Sequence, residues 1–498
     1  MTQAEADQEI FIKTQRAAER GEIWGQFNLG LAYYYGQGVT EDFAQAALWF
    51  SRAASNNDAE AQFYLGFLYA HGQGVARNYP EAVKWFRHAA EQGHPEAQYH
   101  LASLYLQGLG AAKDELDALK WFRRAAEQGF PEAQYQLALL YQNSPHQRPE
   151  AAHWLQQAAQ RGHVEAAYLL GEMSFKGNPR NLNAALQWLR QAATAGHGRA
   201  QLQLGVIYET GLDSGKADAV EAARWFARAA ERGNPDAAYH LGRMYLRGEG
   251  VTYDLGAAVH WLTVAQHADA CYELAKLYSD GEKLPRNDAE ASKWFTRAAE
   301  QGHPRAQYEL AIRILQGDPD TALRWLTQAA RQGVAAAQYQ IGVLYHHGRG
   351  VIRDLNEARN WYQQAANGNY PEAQYELGLF FARGINGAGE DVIQARNWLE
   401  KAAATGHHAA QYELAMLLLN NARVASDDQE AVRLLQNAAE HNHAPAQYRL
   451  AIMYLTGRGV IQSNSDCKMW MERSAAQGEL RAQEFIKIVQ TEKWFGPN

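Results

Sequence analysis

Residues 95–126 carry the architecture in miniature: Pro95-Glu96-Ala97-Gln98-Tyr99-His100-Leu101-Ala102-Ser103-Leu104-Tyr105, then Ala118-Leu119-Lys120-Trp121-Phe122-Arg123-Arg124-Ala125-Ala126. The string Ala-Gln-Tyr-x-Leu opens at Ala97, Ala133, Ala306, Ala373, Ala410 and Ala446, with variants at Gly25, Ala61, Ala166, Ala200, Ala237, Ala270 and Ala337. That makes thirteen copies spaced 31 to 37 residues apart, most often 36, so self-similarity governs the reading of everything else. Twelve of the 14 tryptophans keep phase with it, heading Trp-Phe/Leu-x-x-Ala-Ala segments, and only the twelfth copy departs, with Leu434 in that place.

Each copy reads as two helices. Ala61, Leu65, Gly66 and Tyr69 fall at i, i+4, i+5 and i+8, a helical stripe and not a strand alternation. Gly-x-Gly-Val follows, as in Gly72-Gln73-Gly74-Val75 and Gly348-Arg349-Gly350-Val351, where glycine supplies the left-handed turn that closes a helix. Asn78 with Glu81, and Asp354 with Glu357, predict a capping box at the start of the second helix. Four residues before each opening residue, and before the half-copy at Ala482, stand ten glycines, three asparagines and Gln266. Glycine and asparagine tolerate positive φ most cheaply, so thirteen of these fourteen junctions fit a left-handed cap and Gln266 is the exception. The junction at Gln266 is also short: 9 positions separate Trp261 from Ala270 where 12 separate Trp85 from Ala97, which predicts a changed superhelical path near 262–272.

A lone hairpin cannot bury both faces of its helices, so the copies must stack and share a core. The expected architecture is an all-α solenoid. It comprises an N-terminal capping helix within 1–24, repeats 1–7 over 25–266, repeats 8–13 over 267–479, and a C-terminal capping helix and tail over 480–498.

Composition narrows the function. The chain of 498 residues is 47% apolar and 20% charged, and 47 basic against 55 acidic residues give a net charge of −8, which offers no basic footprint for nucleic acid. No run of 18 apolar residues is present to span a bilayer, and Met1–Asp7 has neither the basic nor the apolar segment of an export signal. Two cysteines, Cys271 and Cys467, cannot make a disulfide framework, so a reducing, cytoplasmic location is expected.

Motifs with chemical meaning are few. The Gly-x-Gly segments follow no strand and lack Gly-Lys-Ser/Thr, which argues against nucleotide binding. His94, His163, His197, His303, His407 and His443 recur one per unit, too far apart to share a metal, and the tandem His346-His347 reads as a solvated pair; no cofactor is expected. Ser465-Asp466-Cys467-Lys468 matches Ser-x-x-Lys of penicillin-recognising serine hydrolases, but Ser-Asp-Asn and Lys-Thr-Gly are absent and helix-start chemistry explains the match.

The Ala-x-x-x-Leu-Gly-x-x-Tyr helix, the Gly-x-Gly-Val loop and the Ala-x-x-Trp-x-x-x-Ala-Ala helix together resemble the Sel1-like repeats, relatives of tetratricopeptide repeats. That resemblance implies a right-handed superhelix whose first helices line a concave groove. It also implies a non-enzymatic scaffold or adaptor for a protein partner, or alternatively an immunity protein or chaperone that neutralises a bacterial toxin or effector.

Partner recognition is then expected at first-helix positions the core does not claim. Three residues after the opening one, the last six copies read Glu273, Glu309, Gln340, Glu376, Glu413 and Arg449, an acidic ladder on stacked helices. Beside it run Ile312, Val343, Leu379 and Met416, and one turn on lie His347 and Arg383. A carboxylate row next to an apolar row suits an amphipathic peptide bearing Lys or Arg. In the first copies the ladder position holds Tyr64, His100 and His240; Tyr64 and His100, with Phe67, are candidates for a second contact patch.

Overall fold

The structure is a computed structural model that describes residues 3–142, 148–177, 181–212, 215–384, 391–421 and 425–492. The tail beyond Glu492 and the first two residues lie outside the described residues. Among those described there are 28 helices and no strand, from Gln3–Glu19 to Leu480–Glu492. Repeat 3 shows the pattern: a first helix Pro95–Gln107, a second helix Glu115–Glu127, and then the first helix of repeat 4 at Pro131. Contacts group the chain into two compact units, residues 1–261 and 262–498, and each is described by itself.

Local chemistry fixes the helix ends. First helices often open with proline at the first turn, where its missing amide costs nothing, as at Pro95, Pro304 and Pro371. Second helices start on Asp or Asn whose carboxylate or amide oxygen accepts backbone N–H groups, for example Asn78 from Glu81 (3.2 Å) and Asp354 from Glu357 (3.1 Å). The reciprocal half of the expected capping box is replaced. The N–H of Asn78 donates to the carbonyl of Tyr69 (2.9 Å) and that of Asp354 to Tyr345 (3.0 Å), so the preceding helix takes the donor that Glu81 and Glu357 were expected to satisfy. This bond closes the hairpin across its own loop.

The second glycine of the loop sets the spacing between repeats. Gly74 has φ +67°, and a Cβ there would lie 2.2 Å from the carbonyl of Phe43 in the preceding repeat, so only glycine permits the approach. At the junctions, all fourteen residues adopt positive φ, from Gly21 (+83°) to Gly478 (+90°). Gln266 is among them at +57°, which corrects its reading as an exception. Its neighbours hold it there: its carbonyl accepts from Gln301 Nε2 (3.0 Å) and its side-chain oxygen from Arg297 (3.3 Å).

The core of each unit is built from the Ala-Ala pairs and the large residue after the tryptophan, with Phe50, Phe86, Phe122, Phe226 and Phe295 all buried. A polar spine crosses it. Gln98 donates Nε2 to the carbonyl of Ala90 (3.1 Å) at the end of the preceding second helix, which also accepts the Gly93 amide (3.0 Å), and accepts from Gln128 (2.8 Å). Gln62 with Gln92, Gln307 with Gln332 and Gln447 with Gln477 repeat the second bond. The Oε1 atoms of Gln134, Gln201 and Gln374 are buried without a partner, because Arg161, Arg232 and Thr405 replace the donor glutamine in those repeats.

Candidate partner-binding face

The recurring histidines are part of this framework. Nδ1 of His163, His197, His303, His407 and His443 accepts the amide three residues on (3.1–3.2 Å), which makes each an N-cap of a first helix. The proton therefore sits on Nε2, which faces a carboxylate of the preceding repeat in Glu165–His197 (2.9 Å) and Asp269–His303 (3.5 Å). The rings also stack on the preceding repeat's tyrosine, as His303 does on Tyr272 with centroids 4.2 Å apart. Burial holds His163, His303, His407 and His443 below the usual histidine range.

The ladder position has a defined floor. In the first unit its side chain lies flat on the large ring of the preceding second helix: Tyr64 on Phe50 (5.1 Å, 17°), His100 on Phe86 (5.3 Å, 13°) and His240 on Phe226 (4.7 Å, 10°). Burial, reinforced by His71 and His94, pushes His100 down to about 4. Tyr64 shares a hydroxyl contact with Tyr35 (3.2 Å), Phe67 stacks on His71 (4.0 Å), and Glu209 lies 3.0 Å from His240, whose hydrogen bond draws that carboxyl below its usual range.

In the second unit carboxylates take that position. Glu309 lies 3.8 Å from Arg313, whose guanidinium covers the Phe295 ring (4.4 Å). Glu413 lies 3.9 Å from Arg383. Glu376 has no ion pair or hydrogen bond among the described residues, although Arg383 is near enough to offset part of its charge. Burial raises the carboxyls of Glu376 and Glu413, and burial with the field of Glu376 pushes Tyr339 up to about 12 and holds Tyr362 above the tyrosine range. Glu273 and Gln340 are half-buried at the same register.

The neighbouring row is less uniform than a continuous apolar strip. Ile312 is 37% exposed, Val343 and Met416 are half-buried, and Leu379 is 7% exposed and belongs to the core. His347 is exposed, but its partner in the tandem is not the solvated residue expected: His346 is half-buried with Nδ1 3.2 Å from the Tyr362 hydroxyl. Tyr362 was legible as an anomaly, being the one tyrosine in a position otherwise filled by Phe, Leu or Met. Arg313 carried no comparable signal, since its role depends on the ring it covers.

Elsewhere, Ser463 caps the last second helix by accepting from Asp466 N–H (3.3 Å), and Ser465 Oγ bonds Ser463 Oγ (3.0 Å) while Lys468 is exposed. Cys271 and Cys467 are both buried, and burial pushes both thiols up, away from nucleophilic reactivity. Among the described residues no three His, Cys, Asp or Glu side chains meet in a metal-binding group, and no helix is long and apolar enough to cross a membrane.

Against this geometry the comparisons are direct. The Sel1 repeat matches thirteen segments, from 25–58 to 444–479, with 266–267 the only residues between them left out. The chain is similar to c5321, a protective antigen of uropathogenic Escherichia coli strains displaying an SLR fold, at 31% identity over 89% of this chain and 96% of that one, with a TM-score of 0.73. It is also similar to a Sel1 repeat protein from Oxalobacter formigenes (29% identity, 68% of this chain and 89% of that one, TM-score 0.42). A third likeness, to immunity protein Pa5087 of Pseudomonas aeruginosa, has 21% identity over 42% of this chain and 80% of that one, with a TM-score of 0.26. Comparison with curated protein sequences gives no match. The chain belongs to the Sel1 repeat family. Proteins built from these repeats generally mediate protein–protein contacts, and the scaffold is generally non-catalytic.

Proposed function

We propose that this protein is a non-enzymatic scaffold of a reducing compartment, and that the first-helix face of residues 262–498 grips a partner polypeptide through its basic side chains. Glu309, Glu376 and Glu413 provide the charge, flanked by Glu273 and Gln340. Ile312, Val343 and Met416 provide apolar contact, and His347 and Arg383 form the rim. The observation that carries this reading is Glu376: a half-buried carboxylate beside Tyr362 with no ion pair among the described residues, its charge only partly offset by Arg383. Such a group is penalised by its surroundings until a positive charge is delivered to it. In the first unit the ring-paved positions Tyr64, Phe67, His100 and His240 form the second contact surface.

The triple variant Glu309→Gln, Glu376→Gln, Glu413→Gln preserves shape and removes the charge. Affinity purification from the native host, with mass spectrometry of the eluate, is expected to recover a basic partner with the wild type and to lose it with the triple variant. Equal recovery at low salt would exclude the carboxylates as the site.

A further inference from the structure

Repeat 12 departs from the pattern at three positions that meet in space. Leu434 stands where the other twelve repeats carry tryptophan. His408 takes the place of the proline at Pro95, Pro304 and Pro371, and His441 that of the glutamine at Gln92, Gln128 and Gln477. All three line one cavity of about 490 Å³ between the second helices Val392–Ala404 and Ala425–Glu440.

The preceding repeat shows what this space accommodates. Trp398 shares one buried apolar cluster with Ala365, Ala366, Ala373 and Leu377. The equivalent residues one repeat on, 37 positions later, are Ala402, Ala403, Ala410 and Leu414. Of these, Ala403 and Leu414 line the cavity, so part of the surface that receives an indole in repeat 11 is left open beside Leu434. The two histidines form a stacked pair at the edge of the cavity. Their rings stack 4.3 Å apart at 16°, with His441 Nδ1 bonded to the Asn437 carbonyl (2.8 Å) and His408 Nδ1 to Gln411 Oε1 (3.4 Å). Glu400, Glu430, Arg433, Asn437 and Gln411 add polar groups to the lining, and a carboxylate has acceptor sites to spare for an indole N–H beyond the contacts Glu400 makes to Arg396 and Glu430 to Arg433.

We propose that this cavity binds an indole ring, the tryptophan side chain of a partner polypeptide, in the slot that repeat 12 does not fill for itself. Ala403, Leu414 and Leu434 offer apolar contact, and the imidazoles and carboxylates around them offer the polar contacts that orient a ring bearing one N–H. The site involves none of the ladder carboxylates, so it stands or falls independently of the basic-partner reading.

The test is thermal unfolding of the full chain during titration with N-acetyl-L-tryptophanamide, which mimics the side chain within a polypeptide. The wild type is expected to show a saturable rise in Tm, as any ligand of the native state produces. N-acetyl-L-leucinamide should produce none. Leu434→Trp should melt about 2–4 °C higher on its own and lose the response, while the smaller filling in Leu434→Phe should weaken it. No saturable rise in the wild type overturns the proposal whatever the variants do, and so does an equal rise in wild type and Leu434→Phe. Tighter response to free tryptophan than to the amide would assign the cavity to a metabolite and overturn the partner assignment.

Discussion

The two units place different chemistry on the same support. Three residues after the opening one of each first helix, the first unit lays Tyr64, His100 and His240 flat on Phe50, Phe86 and Phe226, while the second sets Glu309 beside the Arg313 that covers Phe295, and Glu376 in the field of Tyr362. The ring beneath belongs to the scaffold; the residue above it is free to vary. Recognition is therefore decoupled from folding, and a family defined by its framework can carry unrelated surfaces.

The largest expected effect strikes what the units share. Gly129 sits at φ +86°, and a Cβ there would come 2.6 Å from the Arg161 guanidinium. Gly129→Val should cost about 2–3 kcal/mol, the strain of a β-branched residue at positive φ plus displacement of that arginine. Calorimetry should register a lower Tm, and an unchanged one would mean the junctions do not hold the repeats in register.

Next comes the ring-paved floor. His100 titrates near 4 in the folded chain and near 6.5 when unfolded, so its neutral form favours the native state at pH 7. The unfolded chain binds the extra proton first as pH falls, so stability is lost from about pH 6.5 down to 4, by about 3 kcal/mol. His100→Phe should remove that component of the pH profile of urea unfolding. If wild type and variant slopes coincide between pH 6.5 and 4, His100 is not held as described.

A gain of about 1 kcal/mol is expected from Thr405→Gln, which supplies the donor that buried Gln374 Oε1 lacks. A fall in Tm would show that the spine cannot be completed at that repeat.

The smallest effect sharpens the contrast between the floors. Burial raises the Glu376 carboxyl in the folded state, so its charged form is disfavoured at pH 7 and wild-type stability recovers as pH falls through the raised value. Glu376→Gln should gain a few tenths of a kcal/mol at pH 7 and lose that acid-side recovery. A stability loss at pH 7 would show the carboxylate to be internally paired after all.

Much of the framework was legible in the residues. The 36-residue period, the paired helices and the left-handed junctions follow from Ala97, Trp121 and Gly129 and their counterparts. The bonds that close each hairpin were harder to see. Nothing local tells that the Asn78 amide will choose the Tyr69 carbonyl over Glu81, because that depends on the angle at which the hairpin closes. The histidines did carry a signal: each stands three residues before the opening alanine, the N-cap register shared with Asp58 and Asn234. Their spacing excludes a shared metal but says nothing against this capping role. Gln266 shows the converse case, a residue with low left-handed preference placed there by Arg297 and Gln301. At the candidate site, the register of the carboxylates was visible, but burial of Leu379 and the Tyr362–His346 contact depend on packing between neighbouring hairpins.

The glutamine spine also bears on how such a chain changes length. Gln98 reaches the carbonyl of Ala90, and Gln134 makes the same reach to Ala126, so excising residues 95–130 would join His94 to Pro131 and offer Gln134 the acceptor that Gln98 had used. Growth and shrinkage by whole hairpins need no new interface, which makes duplication and deletion, more than point substitution, the natural currency of evolution for this molecule.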